Sequence, residues 1–133
     1  MLGFLPANCF DRPPRKPPEA VTAPDQAQLA AVVPDDFEKN YDIHGVIEVL
    51  VDDGYFFEIK AEYAKSLVTG FCRFNGEAVG LVANNPIEPG SGVSIDCCDK
   101  YYRFLQVLDA YNIPLVSLVD TPPLLPGEDQ EEK

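Results

Sequence analysis

Positive charge is scarce in this 133-residue chain: 10 Lys and Arg stand against 22 Asp and Glu, a formal charge of −12. That balance excludes a nucleic-acid partner, because phosphate binding needs a basic face that displaces counterions. It also argues against membrane contact through an anionic surface. Histidine is scarcer still, with His44 alone. The four cysteines, Cys9, Cys72, Cys97 and Cys98, form no CxxC pair, and two of them are adjacent. No structural zinc set of ordinary spacing can be built from them, so no metal is expected. They read as reduced thiols of a cytoplasmic-type compartment, although four cysteines would also permit two disulfides. No run approaches the roughly 18–20 apolar residues of a spanning helix. The N-terminus lacks the basic start and small-residue cleavage site of a signal peptide.

Signatures of nucleotide binding and nucleophilic catalysis are missing too. There is no GxGxxG, no GxxxxGK[ST] and no GxSxG. Ser66, Ser91, Ser94 and Ser117 have only His44 as an imidazole base. His44 follows a helix cap by two residues and reads as a solvated helix residue. The sharper alternative pairs it with Cys72, Cys97 or Cys98 in a Cys–His hydrolase. Cys97 and Cys98 stand at a helix start, where a thiolate is favoured, though helix packing is the plainer role. Asp52 and Asp53 are neighbours on a helix and point apart, which does not suit shared acid–base work.

What is present is an ordinary globular composition, 46% apolar, with unevenly placed proline. Pro6, Pro13, Pro14, Pro17, Pro18, Pro24 and Pro34 concentrate in the first quarter. Proline fixes φ and removes a donor, so residues 5–36 read as an extended surface linker. Met1–Phe4 is apolar and suits the end of an upstream element.

Beyond the linker the patterning is regular. Ile43, Val46, Ile47 and Leu50 make one helical face over residues 42–53, with Asp42 as cap and Gly54 as stop. Tyr55–Lys60 reads as a strand. Residues 67–74 and 77–84 flank Asn75-Gly76, a strong hairpin signal. Val79, Leu81 and Ala83 share one face and Val82 takes the other, as in a strand buried between layers. Residues 96–111 form the best helix, with Asp96 as cap and a stripe of Tyr101, Phe104, Leu105 and Leu108. Asn112 and Pro114 end it. Leu115–Val119 reads as a short strand buried on both faces. Leu124, Leu125, Pro126 and Gly127 then make a loop at a strand's carboxyl edge, where α/β folds place ligands. The chain closes on a charged run at residues 128–133. Helix, strand, hairpin, helix, strand implies an α/β layered domain.

Several stretches carry a resemblance. FLPAN at 4–8, VPDDFEKNYDIHGVIEVLVDDGYFFEIK at 33–60, LVTGFCRFNGEAVGLVANNP at 67–86 and IDCCDKYYRFLQVLDAYNIPLVSLVDTPPLLPGEDQE at 95–131 follow one another in consistent order. Together they resemble the β subunits of biotin-dependent acyl-CoA carboxyltransferases, of the propionyl-CoA carboxylase, methylmalonyl-CoA carboxyltransferase and decarboxylase α type. The resemblance implies a crotonase-like fold of stacked ββα units. Residues 1–36 would be the interdomain linker, and 37–133 the first, incomplete portion of the C-terminal carboxyltransferase domain.

It further implies an activity that moves CO2 between biotin and the α-carbon of an acyl-CoA. The biotin would be carried on a partner subunit, and a biotin carboxyl carrier and a biotin carboxylase or decarboxylase subunit would be the partners. The full-length family forms homo-oligomers. Its location would be the cytoplasm, or the mitochondrial matrix in a eukaryote. Such chemistry relies on preorganised backbone donors for its oxyanions, not on side-chain nucleophiles. The family's acyl-CoA oxyanion turn lies in the N-terminal domain and its biotin-side turn lies beyond the stretch matched here. No catalytic residue therefore maps onto this sequence. Cofactor contacts are expected at the strand-end positions Asn84, Asn85, Leu124, Leu125, Pro126 and Gly127. A fragment inactive by itself is the first expectation. A non-catalytic assembly protein built from half a domain is the second, and a hydrolase or isomerase of the wider crotonase group is the third.

Overall fold

The computed structural model describes residues 1–17, 26–33, 41–87 and 93–120. Three helices, α1 (Gln26–Val32), α2 (Ile43–Leu50) and α3 (Ile95–Ala110), join strands β1 (Phe57–Glu58), β2 (Leu67–Phe74), β3 (Glu77–Asn84) and β4 (Leu115–Leu118). The strands form one sheet in the order β1-β2-β3-β4. The first two pairings are antiparallel and β3–β4 is parallel. A parallel neighbour needs a crossover, and α3 supplies it.

The hairpin forms where the dipeptide signal places it. Asn75 and Gly76 both take positive φ, 51° and 79°, as a two-residue turn matched to strand twist requires. The Asp52 carboxylate caps this turn from outside, accepting from Asn75 N at 3.0 Å and Gly76 N at 2.7 Å. Asp52 thus has a structural task that its sequence neighbourhood did not indicate. Asp52→Ala should cost about 1–2 kcal/mol, the range for a charge-assisted bond pair near the surface. Equilibrium urea unfolding checks this; a loss under about 0.5 kcal/mol would mean that water serves the turn equally well.

Period-2 alternation divides the sheet between two apolar layers. Leu67, Phe71, Ala78 and Val82 face α3, where they meet Cys97, Phe104 and Leu108. Val68, Cys72, Val79, Leu81 and Ala83 face α2, packing on Ile43 and Ile47. The α3 layer approaches closely: a Cβ on Gly80 would stand 2.4 Å from Leu108 Cδ1. Any larger residue at that position would force the Leu108 side chain to shift.

Five local expectations are corrected. The 55–60 strand shrinks to Phe57–Glu58, since Lys60 turns to φ 54° and leaves the extended region. Helix α2 closes at Val51 in an extended conformation, and Gly54 serves the short turn that follows. The cap of α3 is Ser94, whose Oγ accepts from Cys97 N at 3.3 Å; Asp96 lies inside the first turn. Strand β4 alternates exposed and half-buried, because it has β3 on one side and, among the described residues, no strand on the other. The proline-rich segment is not uniformly extended, since α1 forms between Pro24 and Pro34.

The segment before α1 is also strapped down. Phe4 is buried against Phe71 and Tyr55. Arg73 donates to Gly3 O at 2.6 Å and Pro14 O at 2.8 Å, with its guanidinium 4.8 Å from the Phe4 ring centroid.

Candidate functional site

Strands β3 and β4 run parallel, so their carboxyl ends open on the same edge of the sheet. Asn84 ends β3, half-buried. Asn85 follows it, 4% exposed, and its backbone N–H donates to Ser66 O at 2.9 Å. The Asn85 side-chain oxygen accepts from Ile43 N at 3.3 Å and Ile87 N at 3.5 Å. Its amide thus ties the start of α2 to the loop after β3. That commitment makes Asn85 a shaper of the edge, and Asn84 the more accessible of the two asparagines. Leu124, Leu125, Pro126 and Gly127 lie outside the described residues.

A polar cluster borders this edge. Tyr41 donates its hydroxyl to Asp120 Oδ2 at 2.6 Å. Burial and the Asp120 carboxylate push the Tyr41 hydroxyl up to about 12. Asp42 caps α2, accepting from His44 N at 3.0 Å. His44 is not a solvated helix residue: Nδ1 lies 2.6 Å from Asp42 Oδ1 and Nε2 lies 2.9 Å from Glu58 Oε2. Burial works against the charged ring, but the two carboxylates outweigh it and raise His44 above the usual imidazole value. Burial likewise opposes the Asp42 charge, yet its bonds from His44 hold that carboxyl low. Glu58 is 14 residues from His44, and β1 pairing brings the two together. No local pattern announces that meeting.

The Cys–His alternative is not assembled. Both ring nitrogens of His44 are occupied by carboxylates. Cys97 is 1% exposed and lies in the α3 layer, across the sheet from α2. Its sulfur faces Ser66 Oγ at 3.1 Å and Ser94 Oγ at 3.4 Å. Cys72 is fully buried, and burial with the Asp52 charge pushes its thiol up to about 12. Cys98 is exposed, and all four cysteines are free thiols.

The residue most visibly missed by sequence reasoning is Lys100. It is 1% exposed. Its ammonium donates to Leu67 O at 2.6 Å, Tyr63 O at 2.8 Å and Ala64 O at 3.4 Å. Burial lowers its pKa, and the Glu58 charge partly offsets this. A signal existed: Lys100 falls four residues before Phe104 and eight before Leu108, on the buried stripe.

A cavity of about 430 Å³ lies at the opposite end of the strands, lined by Phe10, Arg12, Arg15, Glu77 and Asn112 among others. Its polar groups are of mixed sign, and Arg15 is already paired with Glu77 at 3.5 Å. Among the described residues no group of three His, Cys, Asp or Glu side chains could hold a metal ion. No helix there is long and apolar enough to cross a membrane.

Known proteins match this chain from end to end. The methylmalonyl-CoA carboxyltransferase 12S subunit of Propionibacterium freudenreichii subsp. shermanii is 43% identical over 131 residues, covering 98% of the chain and 25% of that subunit. The biotin-dependent long chain acyl-coenzyme A carboxylase beta4 subunit of Mycobacterium tuberculosis is 41% identical over 133 residues, 98% of the chain and 26% of that subunit. The chain therefore spans about a quarter of the length of these curated relatives.

Among solved structures, the hexameric transcarboxylase 12S, with methylmalonyl-coenzyme A and methylmalonic acid bound, superimposes with a TM-score of 0.91 at 42% identity. That match covers 98% of the chain and 25% of the 12S chain. A single-chain, multi-domain long-chain acyl-CoA carboxylase gives a TM-score of 0.81 at 32% identity, over 90% of this chain and 12% of its own. The fold is crotonase-like, as the resemblance implied. The carboxyl transferase domain family matches residues 1–133. This chain is a member of the carboxyl transferase domain family.

Proposed function

We propose that the chain is the opening part of the second carboxyltransferase domain in a biotin-dependent acyl-CoA carboxylase subunit. Residues 1–36 connect it to the preceding domain, and 37–133 begin the domain itself. The complete subunit moves CO2 between N1 of a biotin on a partner and the α-carbon of a propionyl- or methylmalonyl-type CoA. A biotin carboxyl carrier and a carboxylase or decarboxylase subunit are its partners, and several copies assemble into one oligomer. The observation that carries this reading is the match over 98% of the chain to a transcarboxylase holding methylmalonyl-CoA.

The chemistry suits a chain without a side-chain nucleophile. Carboxyl transfer passes through enolate and ureido oxyanions, which oriented backbone N–H groups stabilise without changing their own protonation. What this chain contributes is the frame: a sheet edge whose strand-end residue Asn84 faces the biotin side.

The test is biotin-dependent carboxyl transfer to propionyl-CoA, assayed with the full-length protein and its carrier. Transfer is expected there and not with residues 1–133 alone. Activity in the isolated 133-residue chain would overturn the assignment, as would a full-length protein that leaves carboxybiotin untouched while hydrolysing the thioester.

A further inference from the structure

We propose that His44 is a proton-operated clasp between α2 and β1, closed when the ring is charged and open when it is neutral. The geometry supplies the reason. Both ring nitrogens lie within hydrogen-bond distance of carboxylate oxygens, 2.6 Å to Asp42 and 2.9 Å to Glu58. An ionised carboxylate only accepts. A neutral imidazole donates from one nitrogen and carries a lone pair on the other, so one contact would set lone pair against lone pair. The imidazolium donates from both and satisfies both carboxylates.

The clasp joins elements that otherwise hold each other weakly. Strand β1 is two residues long and, among the described residues, pairs only with β2. Helix α2 has eight residues, below the length at which a helix is stable by itself. Asp42 Oδ1 also accepts the His44 backbone N–H, so one oxygen serves as helix cap and clasp anchor. The edge of the His44 ring meets Phe56, with centroids 6.5 Å apart at 62°. The ring is partly buried and retains 34% of its side-chain exposure, so protons reach it without unfolding.

The charges facing the ring are those of Asp42, on its own helix, and Glu58, from β1. From the end of β3 the Asn85 amide reaches the start of α2 and does not titrate. The Glu58 charge also acts on Lys100 of α3. Tyr41, beside Asp42, stays protonated throughout the neutral range.

The sign follows from these partners. His44 is raised above 6.5, so the clasp is complete below that value and lost as pH rises through the raised one. Asp42 is lowered below 3.8, so its share fails only on strong acidification.

Hydrogen–deuterium exchange of the full-length protein tests this between pH 6 and pH 9, corrected for intrinsic exchange and referenced to the 95–110 peptide. Protection of peptides 41–51 and 55–60 should fall by roughly 3- to 10-fold over that range, as two charge-assisted bonds give way to one. His44→Arg, a permanent cation, should keep the protection at high pH. His44→Gln should show low protection at both ends and no pH response. Flat protection in the unmodified protein overturns the proposal, and so does a fall that His44→Arg reproduces. Should His44→Gln fail to fold, the unmodified profile and His44→Arg still decide. Neither outcome depends on which acyl-CoA is used.

Discussion

Lys100→Met is expected to lower the unfolding free energy by about 3–5 kcal/mol, the range for removing one side of a buried charged hydrogen-bond set. Methionine fills the same channel between α3 and the sheet but donates nothing. The carbonyls of Tyr63 and Leu67 would then lose the Lys100 donor, the latter at a buried contact, while Ala64 O keeps the Leu67 N–H at 3.0 Å. Each such loss costs about 1–3 kcal/mol, less where water can reach the carbonyl.

The loop between β1 and β2 should suffer most. Lys60 and Ala64 both hold positive φ, 54° and 46°, a conformation that L-residues disfavour by roughly 1–2 kcal/mol each. The ammonium is what gathers these carbonyls to one point. Urea unfolding measures the global loss, and hydrogen exchange in residues 60–66 measures the local one. A loss below about 1 kcal/mol would show that the carbonyls find other donors.

Phe71→Ala is the second large effect, about 3–5 kcal/mol for truncating a buried aromatic side chain. Phe71 is 1% exposed, in the central strand β2. Its ring lies 5.8 Å from Phe4 and 5.3 Å from Phe104, the latter edge-on at 62°. It therefore joins the N-terminal segment, the sheet and α3 at one point. Alanine leaves a void in the α3 layer and removes the platform on which Phe4 stacks. The trypsin site after Arg15 should become more susceptible as the strap loosens, whereas Arg12 and Lys16 each precede a proline and stay uncut. Phe71→Leu should lose much less, since it retains most of the volume. Equal losses for Ala and Leu would show that ring stacking, not cavity formation, dominates.

Much of the fold was legible. Asn75-Gly76 placed the hairpin to the residue, because a two-residue turn leaves one register. The alternation of Val79, Leu81 and Ala83 against Val82 sorted β3 onto two layers, as observed. Asp42 capped α2 and Asn112 took the positive φ that ends α3. Errors arose where a local rule had two solutions. Ser94 and Asp96 can both cap a helix, and the helix begins after Ser94, which is itself still extended. LVSLV reads as buried on both faces, but burial depends on neighbours that a four-residue segment does not specify.

The site divides in the same way. Asn84 and Asn85 were placed at a strand end by the Asn-Asn-Pro stop alone, and they stand there. That Asn85 is spent on Ile43 was not readable, because that bond depends on how α2 seats against the sheet, whereas the bond from Ile87, two residues on, is local.

The sequence by itself determined what depends on near neighbours: the hairpin turn, the facing of β3, the Asp42 cap of α2, the Asn112 stop of α3, the shortage of cations and the family resemblance. Only the tertiary structure decided what Lys100, Arg73, Asp52 and His44 do. Charged side chains default to solvent in any local rule, because burying an unpaired charge is prohibitive. Each of these four departs from that default through at least one partner 14 to 70 residues away. Chain closure brings those partners together, and no window of local sequence contains them.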